Sequence, residues 1–236
     1  MRDDAKIQGL ASQVLDLIKH DIVWCKLGPG QSISEAQLCE KYKFGKAPIR
    51  QALSRLIQEG LVVSVPRSGH VITPVTLQSV NEVFELRMIL EPAAVEKACG
   101  NVDAARLRKL NAKCAGGYVP GDIASEKRFM EANRNFHMEI ARSSGNSRIY
   151  SSLCQIMDEM TRLLHLGFVL RERPDEMHQE HDSLIAALEN NDKELAREMT
   201  AGHIATVRKL VILGLIDRTN LISTNISASE PSNPLR

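Results

Sequence analysis

Ile7, Leu10, Val14, Leu17 and Ile18 recur at helical spacing near the start of the chain. That stripe predicts a first helix of about four turns. It stops before "KLGPGQ", where two glycines and a proline break it. Ser34 is placed to cap a second helix, with Leu38 inward and Lys41 and Lys43 near its end. "YKFGK" makes a short turn. A third helix carries Ile49, Leu53, Leu56 and Ile57 inward until Gly60 ends it. "LVVSV" and "HVITP" then change to a β-branched pattern, which predicts a hairpin whose tip holds Pro66, Arg67, Ser68 and Gly69.

After Thr73 and Pro74 the pattern becomes helical, from about residue 76 to 216. Breaks fall at "CGNVD", "CAGGYVPGD", "SSGNS", "RERPD" and "ENNDKE", which leaves about six helices. Short breaks make sequential helices antiparallel neighbours in a bundle. Pro92 lies inside the first of these helices and predicts a kink there. The end, "STNISASEPSNPLR", is polar and carries two prolines, so residues 218–236 read as a disordered tail. The expected fold is mainly α: a helical unit with a β-hairpin over residues 1–75, then an all-α antiparallel bundle over 76–217.

Composition sharpens this only in places. Aromatic residues are 4% of the chain, which favours a bundle over a β-sandwich or barrel. The longest uninterrupted apolar run near the C-terminus is Leu210–Ile216, short of the roughly 20 residues a membrane span needs. The first residues carry acids where a signal peptide has its basic region. Cys25, Cys39, Cys99, Cys114 and Cys154 are scattered, with no CxxC pair, and read mostly as reduced core thiols of a cytoplasmic protein. Net charge is +1, but residues 1–75 hold ten Lys/Arg against seven Asp/Glu. A weakly basic N-terminal part points toward a polyanionic partner.

Three helices and a hairpin in about 70 residues follow the order of a winged helix-turn-helix, whose recognition helix enters the DNA major groove by its N-terminal end. Lys46 and Arg50 are four apart and share a face of the third helix that Ile49 and Leu53 do not. Gln51 stands beside Arg50. Arg67 and His70 flank Gly69 on the wing, where the missing side chain lets the backbone approach a phosphate or the minor groove. "PGQSISEAQLCEKYKFGKAPIRQALSRLIQEGLV" resembles the N-terminal domain of GntR-family bacterial transcription regulators, over about residues 10–73. The resemblance implies that Lys46 and Arg50 contact DNA. Where that family has Val-Ser-Arg-Thr, this chain has Phe44, Gly45, Lys46 and Ala47. Two hydroxyls that bind phosphate are thereby lost. Lysine at 46 lacks the bidentate fork that reads guanine, which shifts base reading toward Arg50. A winged helix used only for protein contacts is the alternative.

The helical half holds a second set. Asn133 and His137 are four apart, beside Phe136 and Ile140. His181 precedes Leu184, Ile185 and Leu188, and His203 lies on the stripe of Ala196, Met199, Val207 and Leu210. Each histidine alone also reads as a hydrogen-bonded core residue. Three inward imidazoles and an amide need partners, and one divalent metal satisfies them together. "ELRMILEPAAV", "NRNFHMEIARSSGN" and "EHDSLIAALENNDKELAREMTAGHI" resemble the effector domain of the FadR subfamily, the FCD domain. That resemblance implies a metal held by Asn133, His137, His181 and His203, with Asn133 in place of the usual aspartate. Neutral nitrogen ligands favour zinc or nickel over magnesium or calcium. It also implies that Arg87 grips an effector carboxylate, although Arg87 reads equally as an ion pair with Glu91. Arg134 and Arg162 are further effector candidates.

The combined expectation is a cytoplasmic, ligand-responsive regulator of transcription. It would act as a repressor, bind an operator as a homodimer, and answer to a small carboxylate with the help of a metal. The alternative is a metal-dependent hydrolase built on the histidine cluster. Glu180 adjoins His181 in sequence and is expected to point elsewhere, which leaves that alternative without a general base.

Overall fold

The structure, a computed structural model, describes residues 2–67, 69–115, 117–119, 122–167 and 174–227. It divides into two compact units, Met1–Val80 with Met157–Arg162 and Asn81–Ile156 with Leu163–Arg236. Ser68 lies outside the described residues, as does 228–236.

In the first unit, α1 (Arg2–Val23), α2 (Glu35–Tyr42) and α3 (Lys46–Gln58) enclose Val14, Ile18, Ile22, Leu38, Ile49, Leu53 and Leu56. The first helix is longer than expected, and Leu17 is exposed while Leu15 and Ile22 turn inward. The core stripe steps by four from Val14 to Ile18 to Ile22, leaving Leu17 a quarter-turn off it. Ile57 is likewise at the surface, one position past buried Leu56.

Ser34 caps α2 as its sequence promises. Its Oγ accepts from the Gln37 backbone N–H at 3.2 Å, and the Gln37 Oε1 accepts from the Ser34 backbone N–H at 2.9 Å. This reciprocal capping box satisfies two otherwise orphaned donors. Gly60 closes α3 at φ +74, with its N–H on the Ile57 carbonyl and that of Leu61 on the Leu56 carbonyl. That pair of bonds needs a left-handed residue after the helix. Tyr42 donates to the buried Asp21 at 2.8 Å and Lys41 sits 2.9 Å from it, which ties α2 to α1.

The hairpin is β2 (Val62–Val65) and β3 (Gly69–Ile72), but the sheet has a third strand. β1 (Ser32–Ile33) pairs antiparallel with β3 in the order β1-β3-β2, with Ser32 opposite Val71 and Ile33 opposite His70. Two residues leave no periodicity to read, so only the tertiary pairing makes this a strand.

Among the described residues the rest of the chain has helices as its only regular elements: α4 (Leu77–Ala98), α5 (Ala104–Ala112), α6 (Ile123–Ser143), α7 (Ser147–Gly167), α8 (Pro174–Glu189) and α9 (Lys193–Ser227), of which Leu77–Val80 and Met157–Arg162 group with the first unit. α4 continues through Pro92. α9 reaches Ser227, so the polar tail expected from 218 is helical for its first ten residues. One core joins Val95, Phe136, Ile140, Ile185, Leu188 and Ala196 from α4, α6, α8 and α9. Within Lys193–Ile216 an 18-residue window reaches a mean hydropathy of 1.4, which makes this helix long and apolar enough to cross a membrane by length and composition. Counting uninterrupted apolar runs missed it, because Arg208 and Lys209 interrupt the sequence. Its buried residues, Ala196, Thr200, His203, Ile204, Val207 and Val211, fall on one stripe, as in a helix of a bundle.

Candidate functional site

α3 turns Ile49, Ala52, Leu53 and Leu56 into the core. Lys46, Ala47, Arg50, Gln51, Ser54 and Arg55 form its exposed face. Gly45 is the N-cap and supplies no side-chain bond. Pro48, third in the helix, has no N–H, so the backbone donors at the start of α3 are those of Lys46 and Ala47 alone. Arg50 is exposed but not alone: its Nε donates to both oxygens of Glu35, at 2.9 and 2.8 Å.

On the wing, Arg67 is exposed and left-handed at φ +64. Gly69 has φ +91, and a Cβ there would lie 3.1 Å from the Ile33 carbonyl oxygen. A glycine is needed at 69 to let β1 approach β3, so approach to a phosphate is not its sole reason. His70 is half-buried, with its Nδ1 enclosed and unpartnered.

The second unit brings His137, His181 and His203 together. Their ring centroids are 5.3, 5.3 and 5.4 Å apart, a near-equilateral triangle. One ligand atom from each lies within 4.8 Å of the others, and all three residues are buried. α6 contributes His137, α8 His181 and α9 His203. Phe136 stacks on His181 with centroids 4.0 Å apart and planes 14° apart, which holds that ring flat.

Every imidazole is gripped at Nδ1. His137 Nδ1 lies 3.2 Å from Glu91 Oε2 on α4. His181 Nδ1 lies 3.0 Å from Asn111 Oδ1 on α5. His203 Nδ1 lies 2.7 Å from Glu180 Oε2 on α8. Acceptors at Nδ1 place the proton there and leave Nε2 as a lone pair. The Nε2 atoms of His137 and His181 are buried with no hydrogen-bond partner, and so is Asn133 Oδ1. Unpaired buried acceptors cost free energy unless something binds them. The donor set therefore fits a divalent metal.

Burial lowers the pKa of His137, against the pull of Glu91, and lowers His181 well below the usual imidazole range. In both rings burial favours the neutral form, the form that binds metal. Burial alone would raise the Glu91 carboxyl, but Arg87 and His137 beside it hold it below the usual range.

The three Nδ1 partners escaped the sequence reading. Glu180 does not point away from the site; it bonds His203. One signal was available: Glu91 lies four residues after Arg87 on one helix face. Asn111 had no such signal, because α5 meets α8 only in the fold. It is fully buried, and its Nδ2 donates to the His178 carbonyl at 3.0 Å and to Asp182 at 2.8 Å. His178 therefore serves the cluster through its backbone.

The effector candidates separate. Arg87 is buried and its Nε donates to Glu91, the second of its two readings. Arg134 is half-buried on α6 next to Asn133. Arg162, on the part of α7 that groups with the first unit, donates to the Thr73 carbonyl. None of the five cysteines is in a disulfide; Cys99 and Cys114 are buried and the other three half-buried.

Residues 10–72 match the gntR family of bacterial regulatory proteins, and residues 82–206 match the FCD domain. The chain is 19% identical over 204 residues to the HTH-type transcriptional repressor RspR of Escherichia coli (strain K12), spanning 86% of this chain and 90% of that one. It is 25% identical over 223 residues to the HTH-type transcriptional regulator BphR of Paraburkholderia xenovorans, spanning 89% of each. Among solved structures, E. coli McbR/YncC superposes with a TM-score of 0.73 at 25% identity, over 86% of this chain and 97% of that one.

Proposed function

The chain belongs to the gntR family of bacterial regulatory proteins, with an FCD domain as its second unit, and from that premise we propose a FadR-subfamily repressor that is tuned by a metal-anchored anion. It is a transcriptional regulator with a DNA-binding helix-turn-helix unit and an effector unit, and its relatives are named regulators rather than enzymes. The hydrolase alternative gives way on that ground. RspR, a named repressor, supports the sign.

The observation that carries the effector reading is the triangle of histidines, each held at Nδ1, with the Nε2 atoms of His137 and His181 buried and unpartnered. His137, His181 and His203, with the Asn133 carbonyl oxygen, would hold zinc or nickel. Such an ion supplies a fixed positive centre that attracts an anionic ligand. Aspartate at 133 would have neutralised part of that charge; asparagine does not. Arg87 and Glu91 compensate each other nearby. Within this site a small carboxylate is the ligand that balances charge. Arg134 stands beside Asn133 on α6 and would face the ligand's outer end. Lys46, Arg50 and Gln51, with Arg67 on the wing, would meet the operator. A homodimer would match a two-fold operator, and Leu86 and Ile89, 48% and 65% exposed on α4, supply an apolar face for it. These activities belong in the cytoplasm, where DNA is.

Ligand binding would shift the balance between arrangements of the paired reading heads. The test is elemental analysis of purified protein beside thermal shift with dicarboxylates, sugar acids and amino acids. The expected result is about one zinc or nickel per chain, lost in His181→Ala together with the ligand-induced shift. Metal-free wild type that cannot be loaded, or an intact ligand shift in His181→Ala, would refute the site.

A further inference from the structure

We propose that Glu35 is a positioning residue for base reading: its carboxylate holds Arg50 by Nε so that only the far end of the guanidinium meets DNA. The inference rests on α3 being the DNA-reading helix. Among the described residues, Glu35 is the sole protein partner of Arg50. The single Nε–H is shared between the two carboxylate oxygens, at 2.9 and 2.8 Å. Nε is the near end of the guanidinium, and its two terminal amino groups have no partner among the described residues. The side-chain exposures, 66% for Arg50 and 30% for Glu35, place the acid underneath and the arginine outermost.

The carboxylate is itself fixed. Glu35 is the first residue of α2, directly after Ser34, whose capping box with Gln37 locks that turn. Leu38 below it is buried in the unit's core. Arg50 stands in the second turn of α3, anchored by its neighbour Ile49, which is fully buried. The ion pair therefore bridges the two helices of the helix-turn-helix at the edge where α3 begins.

An unsupported arginine can offer a base either its terminal pair of amino groups or Nε with one of them, and its long stem samples many rotamers. Occupying Nε removes the second mode and narrows the rotamers. What remains is the end-on fork that matches guanine O6 and N7. A reading group held by a partner outside the contact is the arrangement that precise recognition requires. The same carboxylate would repel phosphates, so it improves discrimination at some cost in non-specific affinity.

The test uses full-length protein. A duplex is first selected by the wild type from a randomised pool, and affinities for it and for its scrambled sequence are measured by fluorescence anisotropy. The readout is their ratio, for wild type, Glu35→Ala, Glu35→Gln, Arg50→Ala and the Glu35→Ala/Arg50→Ala pair, each checked by circular dichroism. Arg50→Ala is expected to lower the ratio about 5- to 150-fold, the range of one good bidentate contact. Glu35→Ala should lower it several-fold by weakening the selected duplex alone, with scrambled affinity unchanged or raised. Glu35→Gln keeps an acceptor for Nε and should retain most of the ratio. In the Arg50→Ala background, Glu35→Ala should change nothing further. A wild-type ratio in Glu35→Ala overturns the inference. So does an equal loss in the Arg50→Ala background, because Glu35 would then read a base itself. Equal weakening on both duplexes would mark a merely structural role. If the wild type selects no sequence at all, the reading role of α3 falls first.

Discussion

Glu91 offers the sharpest test of the second unit's energetics. Arg87 and Glu91 lie one turn apart on α4, and their side chains are 3% and 5% exposed. That burial moves the pair out of the class of surface ion pairs, which contribute about 0–1 kcal/mol. Replacing Glu91 with Gln leaves a guanidinium in the interior without its counter-charge and takes the anion from His137 Nδ1. Breaking a buried pair in this way costs about 3–5 kcal/mol. A unit of this size shifts in melting temperature by about 2–4 °C per kcal/mol, so the second unit should melt roughly 6–20 °C lower. Removing both charges, as in Arg87→Met/Glu91→Leu, should cost much less, because no bare charge remains. The assay is urea and thermal unfolding of wild type, both singles and the double, in the presence of a chelator so that metal does not contribute. A Glu91→Gln protein within about 1 kcal/mol of wild type, or a double variant no milder than the single, would refute the buried-pair reading.

Metal titration of Asn133→Asp should show tighter zinc binding than wild type without added anion, and a smaller further gain when a carboxylate is supplied; unchanged affinity would remove Asn133 from the site. Gly69→Ala should destabilise the first unit by about 1–3 kcal/mol, because the new Cβ meets the Ile33 carbonyl at φ +91; a neutral result in denaturant unfolding would contradict the packing of β1 on β3.

Local chemistry was legible because its partners are neighbours in the chain. Ser34 and Gln37 are three residues apart, and Gly60 follows the helix it ends. The apolar periodicity of α3 marked its buried and exposed faces before any fold was known, and so placed Lys46 and Arg50 outward. The same periodicity turned Asn133, His137, His181 and His203 inward, since a helix repeats its faces every three or four residues. The contacts between elements were not legible. β1 is two residues long and exists through its pairing with β3. Leu17 and Ile57 sit at the margins of their stripes, where the angle between neighbouring helices decides what is covered. Glu91, Asn111 and Glu180 reach the histidines from three different helices, and Glu35 reaches Arg50 across fifteen residues. Sequence alone therefore determined which side chains could do chemistry and which way each helix faces. Only the tertiary structure decided which of them meet, because distance between helices depends on packing of the whole core rather than on any residue's own preference.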